Sequence, residues 1–318
     1  MSPGPATNTL GSDNKIPLIT IIGHPSYPVD GELALTTVSV TGPEGRLRAP
    51  LLLGAWLRGD AQIVPRDVIY PPDQSSIDIS AQNAEEMKSS QEHATTAALR
   101  YLGYTLGSEV VVEAIPKGSP SIGILRAGDV IRALQGVKVA TAAELRSRMK
   151  FYSPGDVVAL SIDRAGKQLT LSIKSSKGAD GQALLGVIPA NQFIYPFSVN
   201  IRLKDVGGPS AGMMFALGII EKLTPESLTR KRIIAGTGTI DDDGKVGPIG
   251  GIEDKVLGAY RHGARLFLTP RSNCLEIHSV PEGMRVVGVQ TLKDAVTALQ
   301  SESVAAKASI SCGTKSAP

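Results

Sequence analysis

The chain has 318 residues, of which 42% are hydrophobic and 20% are charged, and its formal net charge at pH 7 is +3. This length allows two domains, and the composition is that of an ordinary globular protein. The small net charge, without any run of basic residues, argues against nucleic acid as a partner. Its two cysteines, Cys274 and Cys312, are too few for a structural zinc site, so no metal site is predicted.

The sequence contains no predicted membrane span or signal peptide. A span needs about 20 apolar residues in a row, and no such window exists here. The first five residues lack a positive region, although they could also follow directly after a segment that has been removed. Cys274 and Cys312 leave two alternatives open, a disulfide formed in an oxidising compartment or two free thiols.

The first hundred residues begin with strand signals and end with a helix signal. Residues 1–14 are rich in Gly, Pro, Asn and Ser and are predicted to be a disordered lead-in. Residues 16–22 and 32–40 are predicted strands. Small and apolar residues recur at helical spacing over residues 84–102, which predicts a long amphipathic helix.

A small β-rich module is predicted from about residue 104 to residue 174. Its elements are strands at 109–114 and 129–134, a helix at 142–151, and a hairpin of strands 157–163 and 168–173. The residues that follow, 175–181, have the composition of a flexible linker.

Beyond the linker, strands and helices alternate. Strands are predicted at 197–203, 232–240, 265–268 and 284–289, and helices at 210–223, 252–262 and 292–300. This alternation indicates helices packed on a mixed sheet, and residues 301–318 are predicted to be a tail.

A glycine-rich turn at residues 206–212 carries the candidate nucleophile, Ser210. Small neighbours leave its hydroxyl uncovered, and the first amides of the following helix are positioned to stabilise an oxyanion. The structural alternative is that these glycines only close a tight connection between a strand and a helix.

Three stretches of the sequence resemble motifs of other protein classes, and the rest of the sequence supports none of the three well. Residues 208–212 also satisfy the GxSxG pattern of α/β-hydrolases, but only His262 and His278 follow the serine and no HGGG-type motif precedes it. Residues 238–245 resemble a P-loop with the wrong spacing, so no nucleotide site is predicted. The acidic turn 241–244 is too short to be a calcium loop.

A lysine is a better candidate for the base. Lys255 lies with Val256 and Ala259 on the apolar stripe of the predicted helix. Burial would lower its pKa from about 10.4 and leave the amine neutral, and the Thr237 hydroxyl could orient it. Alternatively, Lys255 extends its ammonium into water, and Thr237 is an ordinary strand residue.

Three motifs occur in order around these residues: GGPSAG at Ser210, GTGTIDDDGKVGPIGGIEDK ending at Lys255, and GARLFLTPRSN after it. Over about residues 200–300 they resemble the proteolytic domain of Lon proteases. The resemblance implies that Ser210 is the nucleophile, Lys255 the general base and Thr237 a supporting residue. Where Lon usually has KDGPSAG, Asp205 here lies two residues further from the serine, so its role is not carried over.

The module in the middle of the chain resembles a PDZ domain, and the whole resembles the membrane-anchored bacterial PDZ-Lon proteases. Leu102, Gly103 and Tyr104 are similar to the carboxylate-binding loop of PDZ domains, unless Gly103 only ends the preceding helix. The implied fold is α/β (α+β), with a lead-in at 1–14, Lon-type segments at 15–100 and 186–300, an inserted PDZ domain at 101–177, a linker at 178–185 and a tail at 301–318.

The resemblance implies an ATP-independent serine endopeptidase with a Ser-Lys dyad, without metal, nucleotide or other cofactor. The PDZ domain would select or gate substrates that expose their C-termini. The competing interpretation is a PDZ adaptor whose protease-like domain is inactive. Family resemblance also implies a ring-shaped homo-oligomer on the extracytoplasmic face of the bacterial cytoplasmic membrane, with a cytoplasmic location as the alternative.

Overall fold

The computed structural model describes residues 1–42, 64–65, 70, 75–203, 206–301 and 310–312. Asp205, singled out above because its spacing departs from the Lon pattern, lies outside these residues. The chain divides into two units, residues 1–105 with 197–318 and residues 106–196. No described helix is long and apolar enough to cross a membrane.

Five α-helices and twenty strands are described. The helices are α1 (Ser76–Tyr101), α2 (Ala142–Met149), α3 (Gly212–Leu223), α4 (Ile252–Arg261) and α5 (Leu292–Gln300). The strands are β1 (Ser2–Asn8), β2 (Ser12–Asp13), β3 (Ile16–Pro17), β4 (Ile19–Ile22), β5 (Glu32–Ser39), β6 (Gly107–Ala114), β7 (Val130–Leu134), β8 (Val137–Lys138), β9 (Val157–Arg164), β10 (Lys167–Lys174), β11 (Ser176–Lys177), β12 (Ala183–Leu184), β13 (Ile188–Ile194), β14 (Ser198–Ile201), β15 (Ile233–Gly236), β16 (Thr239–Ile240), β17 (Val246–Gly247), β18 (Leu266–Pro270), β19 (Arg285–Val289) and β20 (Ile310–Ser311).

The first unit is built on a six-stranded mixed sheet in the order β1-β5-β15-β18-β19-β20. The four central strands are parallel, and the two edge strands are antiparallel to their neighbours. Helix α4 covers one face, where Val256 and Ala259 pack against Ala235 and Phe267. The predicted α/β fold class is therefore confirmed.

Helix α3 lies in the middle of this unit. Eleven of its twelve residues are buried, as expected of a helix that is apolar on every side. It packs against α1 and α5. Helix α1 begins earlier than the apolar spacing predicts, at Ser76, because Ser75 and Asp78 form a capping box.

Residues 1–14 are not a disordered lead-in. Strand β1 pairs with β5 and forms an edge of the sheet, with an irregularity between Pro3 and Ala6. Composition suggested disorder because Pro and Gly are rare in strands. An edge strand tolerates proline, since its outward side needs no N–H donor.

The second unit is a β-rich module with its own core. Its sheet runs in the order β10-β9-β7-β6-β13, and β8 pairs with β7. The buried residues include Val110, Leu145, Leu160 and Ile162.

The predicted boundaries of this module are wrong on both sides. Residues 101–105 belong to the first unit, and the second unit extends to Pro196. The predicted linker at 178–185 contains β12, and Ala183 and Leu185 are buried in the module's core. Residues 188–194 form its edge strand β13 rather than part of the protease core.

Part of the predicted tail is structured. Strand β20 pairs with β19, and Cys312 forms a disulfide with Cys274. The structure thus contains the disulfide, one of the two alternatives that the sequence left open. The other residues of the tail after Ser301 lie outside the described part of the chain.

Candidate active site and peptide groove

Ser210 lies in the turn immediately before α3, which begins two residues later at Gly212. The turn is attached to α1 by two hydrogen bonds. The Ser90 hydroxyl donates to the Pro209 carbonyl at 3.0 Å, and the Gly208 amide donates to the Asn83 carbonyl at 3.1 Å. A long helix from the first part of the chain therefore fixes the loop that carries the candidate nucleophile.

The glycines of this turn are required by the close approach of α1. A Cβ at Gly207 would lie 2.7 Å from Cβ of Asn83, and a Cβ at Gly212 would lie 2.9 Å from Oγ of Ser90. Gly208 has a φ of +84°, a conformation that L side chains rarely adopt. The glycine-rich sequence thus allows the serine to lie close to a packed helix.

Lys255 projects from the first turn of α4 toward the serine. Its Nζ lies 3.2 Å from Oγ of Ser210 and 3.2 Å from Oγ1 of Thr237. The residue is only 4% exposed. The structure therefore brings Ser210, Lys255 and Thr237 together, and Lys255 does not extend its ammonium into water.

Burial lowers the pKa of Lys255 from 10.5 to about 8. Desolvation disfavours the charged amine because the low-dielectric interior replaces its hydration shell. The two hydrogen-bond partners of Nζ are hydroxyls, which do not restore the lost stabilisation of the cation. At pH 7 about one amine in ten would therefore be neutral and able to accept a proton.

Thr237 is fully buried and follows the last residue of β15. Its hydroxyl lies 3.2 Å from Nζ of Lys255 and donates to the Ser210 carbonyl at 3.1 Å. The Gly238 amide donates to the same carbonyl at 2.8 Å. Thr237 therefore positions both members of the candidate pair.

Two amides beside the nucleophile remain available for an oxyanion. Within the described ranges, no acceptor is recorded for the backbone N–H of Ser210 or Ala211. Ser210, Ala211 and Lys255 line a cavity of about 250 Å³, together with residues 36–39 of β5. A larger cleft near Asp30 and Arg230 contains neither Ser210 nor Lys255. The smaller cavity is consequently the candidate active site.

The histidines that an α/β-hydrolase would need are occupied elsewhere. His262 lies 3.1 Å from the Glu32 carboxylate, and His278 lies 3.0 Å from that of Glu253. Neither is recorded as a partner of Ser210. The GxSxG interpretation is thus not supported by the geometry. No group of three possible metal ligands occurs in the part of the chain that the structure describes.

Leu102, Gly103 and Tyr104 do not form a carboxylate-binding loop. Their three amides donate to carbonyls of α1, at Ala98, Arg100 and Leu99 respectively. Gly103 has a φ of +84° and ends the helix, and the Tyr104 hydroxyl lies 2.9 Å from Nε2 of His24. The alternative of a helix-ending glycine is therefore correct, and these residues belong to the first unit.

Strand β13 is the strand that lies beside α2, and the surface between these two elements is called the PDZ groove below. The Ala142 amide at the start of α2 donates to Oδ1 of Asn191 at 2.7 Å, and Arg146 donates to the Pro189 carbonyl at 3.3 Å. Strand β6 lies on the other side of β13, to which it pairs in antiparallel orientation. A peptide strand added beside α2 would consequently run along β13.

The loop that leads into β13 has the free amides that the first candidate lacks. Ser121 and Ser119 donate to the carbonyls of Leu185 and Gly186, each at 2.5 Å. Among the described residues, no acceptor is recorded for the amides of Leu185, Gly186 and Val187. Consecutive free amides can bind a peptide carboxylate. The signal Leu185-Gly186 was present in the sequence, but it lay at the boundary between the predicted linker and the predicted protease core.

Two families match the chain in separate regions. Residues 204–301 match the Lon protease (S16) C-terminal proteolytic domain, and residues 75–175 match the PDZ domain. Both domains are therefore present. The second match begins at Ser75, the N-cap of α1, before the start of the second unit.

Lon proteases are among the similar curated proteins. Lon protease 2 of Herpetosiphon aurantiacus is 41% identical over 91 residues, which cover 27% of this chain and 11% of that protein. Lon protease 1 of Bacillus subtilis is 38% identical over 135 residues, which cover 41% of this chain and 16% of that protein. The chain thus spans less than a fifth of the length of these two relatives.

One similar solved structure is the PDZ domain of an SdrC-like protein from Listeria innocua. It is 26% identical to this chain, and the match covers 26% of this chain and 92% of that one, with a TM-score of 0.24.

Proposed function

We propose that this chain, which contains a Lon-type proteolytic domain and a PDZ domain, is a serine endopeptidase that cuts peptide bonds with a Ser210–Lys255 dyad. One observation carries the proposal: a buried amine lies 3.2 Å from the hydroxyl of a serine in a partly exposed glycine-rich turn. This is the geometry expected of a nucleophile and its base. Peptide-bond hydrolysis by the dyad itself consumes only water, and we propose that this activity proceeds without ATP.

Neutral Lys255 begins the reaction by accepting the hydroxyl proton of Ser210. As this proton moves to Nζ, Oγ attacks the carbonyl carbon of the peptide bond. The amides of Ser210 and Ala211 donate to the oxyanion that forms. The C–N bond then breaks, Lys255 returns the proton to the leaving amine, and an ester on Ser210 remains.

Water completes the cycle by the same proton transfers. Lys255, neutral again, takes a proton from a water molecule that attacks the ester. The proton passes to Oγ of Ser210 as the C–O bond breaks, which releases the second product and restores the enzyme. Thr237 orients the amine throughout. Its hydroxyl oxygen accepts from Nζ of Lys255, while its hydroxyl hydrogen is donated to the Ser210 carbonyl.

Separate substitutions of the dyad test this function. We expect Ser210→Ala and Lys255→Ala each to lower hydrolysis of an unstructured protein such as casein by at least about a thousandfold. Circular dichroism should show that both variants remain folded. The exposed Lys293→Ala variant on α5 serves as the control and should retain full activity. Hydrolysis by the parent chain that does not exceed that of the two dyad variants would favour the PDZ adaptor with an inactive protease-like domain.

The PDZ domain is proposed to select or gate substrates by their exposed C-termini. The loop 185–187 supports this role through its free amides, and β13 offers an edge for strand addition beside α2. Substrates would accordingly be unstructured or loosened proteins whose C-terminal segment can lie extended in the groove.

The location and assembly of the protein are proposed from family resemblance. An extracytoplasmic position at the bacterial membrane agrees with the Cys274–Cys312 disulfide, because such bonds persist in oxidising compartments. Lon domains commonly form rings, so a homo-oligomer is also proposed. Mass measurement of the native protein by light scattering tests the assembly.

A further inference from the structure

The edge of β13 that faces α2 lacks one of the donors needed for strand addition. Pro189 directs its carbonyl to this edge, where Arg146 donates to it at 3.3 Å. Residues on one edge of a strand normally present both an N–H and a C=O, but proline has no N–H. A peptide in the groove would therefore find no backbone donor at this position.

Arg146 places a cationic donor at the same point. A guanidinium carries five N–H groups in a planar fork, and one contact to Pro189 leaves several of them for a ligand. Arg146 is exposed on the surface of α2. It can thus reach a group bound in the groove without breaking any packing in the core.

Three of the four other arginines of this unit are already paired with carboxylates. Arg132 pairs with Glu109, Arg148 with Glu144 and Arg164 with Asp129. Within the described ranges, no carboxylate is recorded at ion-pair distance from Arg146. Glu144, on the same helix, is held by Arg148 and by the Ala140 amide. The positive charge of Arg146 is therefore available to a ligand.

We propose that Arg146 makes the PDZ groove selective for C-terminal peptides that carry an acidic side chain near their end. This inference rests on the proposed peptide-binding role of the groove. The terminal carboxylate binds the amides of residues 185–187, and the acidic side chain binds the guanidinium. Since strand residues advance by about 3.3 Å and Pro189 lies two residues beyond this loop, the acidic residue is about the third from the peptide's end.

Binding of labelled peptides to the full chain tests the proposal. The Ser210→Ala variant is used so that peptides are not cut. Two fluorescein-labelled decapeptides end in Glu-Ala-Val and Gln-Ala-Val, and a third ends in Glu-Ala-Val amide. By fluorescence anisotropy, we expect the Glu peptide to bind at least about tenfold more tightly than the Gln peptide, because a charge-assisted hydrogen bond is lost in the latter.

Variants on α2 identify the residue responsible. Arg146→Gln should bring the affinity ratio of the Glu and Gln peptides close to one, and Arg146→Glu should invert the preference in favour of a Lys-Ala-Val peptide. Arg148→Gln, on the same helix but paired with Glu144, is the matched control and should keep the preference for Glu. Melting curves establish that each variant is folded.

The outcomes separate this proposal from the one on which it rests. If the free-acid Glu and Gln peptides bind equally well and the amide does not bind, the role of Arg146 is overturned. The proposed recognition of the C-terminal carboxylate then still stands. Equal affinity for the acid and amide forms would show that the groove does not recognise the terminal carboxylate. Both the proposed C-terminus recognition and the proposed role of Arg146 would then fail. Absence of binding by all peptides would also overturn both.

Discussion

At the scale of single residues, Lys255 is the group whose charge state controls the proposed reaction. Its amine lies against two hydroxyls in a buried position, and burial lowers its pKa to about 8. Only the neutral amine can accept the serine proton. Lys255 is therefore mostly protonated at neutral pH. The fraction of neutral amine, and with it the proposed activity, increases at higher pH.

The pH dependence of activity follows directly. We expect kcat/KM for a peptide substrate to rise tenfold per pH unit below the pKa of Lys255 and to level off above it, with the midpoint near pH 8. Initial rates between pH 6 and about 10 with a substrate lacking ionisable groups measure this profile. A flat profile across this range would contradict a lysine base.

The same burial also has a cost for folding that can be measured. In the unfolded chain the amine keeps its usual pKa of 10.5, whereas in the folded chain the pKa is about 8. Below pH 8 both states are protonated, and the folded state carries the full penalty of about 3 kcal/mol. Between pH 8 and 10.5 the unfolded state binds more protons, so stability rises with pH.

Replacing the amine by an apolar group should remove this penalty. We expect Lys255→Met to be more stable than the parent chain by about 2–3 kcal/mol at pH 7, and the difference should shrink toward zero near pH 10.5. Urea unfolding at both pH values measures it. Lys293→Met, at an exposed position, is the control. Destabilisation by Lys255→Met at pH 7 would mean that the penalty has been overestimated.

At the scale of elements, α1 holds the nucleophile turn in place. Ser90 is 3% exposed and donates to the Pro209 carbonyl, next to Ser210. Ser90 acts on catalysis through this backbone carbonyl, so it is a positioning residue.

Removal of this hydrogen bond should reduce the rate without changing the base. We expect Ser90→Ala to lower kcat about fivefold, equivalent to about 1 kcal/mol, with KM within about twofold and an unchanged pH midpoint. Steady-state kinetics across pH measure all three. Ser89→Ala, one residue away, should behave like the parent. A shift of the pH midpoint in Ser90→Ala would indicate a direct effect on Lys255.

The elements differ in how far the sequence determines them. Ser210 and Lys255 lie in motifs whose local turns and helix spacing already indicate their environment. The groove strand β13 was missed because it pairs with β6, about 80 residues earlier in the chain, and local patterns carry no information on such pairing. Strand β1 was missed because three of its seven residues are Pro or Gly, while the strand is stabilised by pairing with β5 at the edge of the sheet.

At the scale of the whole molecule, the second unit is an insertion with closely spaced ends. Tyr104 lies shortly before it and Phe197 directly after it, and their ring centroids are 5.3 Å apart. His24 contacts both rings. The first unit therefore brings the two connections together without help from the inserted module.

Excision of the inserted module should accordingly leave a folded first unit. We expect a chain in which residues 106–196 are replaced by a short Gly-Ser linker to give a cooperative thermal transition and to cleave short unstructured peptides. Preference for particular C-termini should disappear. Circular dichroism and peptide hydrolysis measure these outcomes. An excised chain that cannot fold would show that the module contributes to the stability of the first unit.

The disulfide at the end of the chain affects how the protein should be handled in the laboratory. Strand β20 covers the outer edge of β19, and Cys312 attaches it to the short 3-10 helix (Arg271–Glu276) that carries Cys274. A bare strand edge readily pairs with another molecule. Reducing agents in purification buffers would release this cover, so aggregation and loss of soluble material are expected when dithiothreitol is present and should be absent without it.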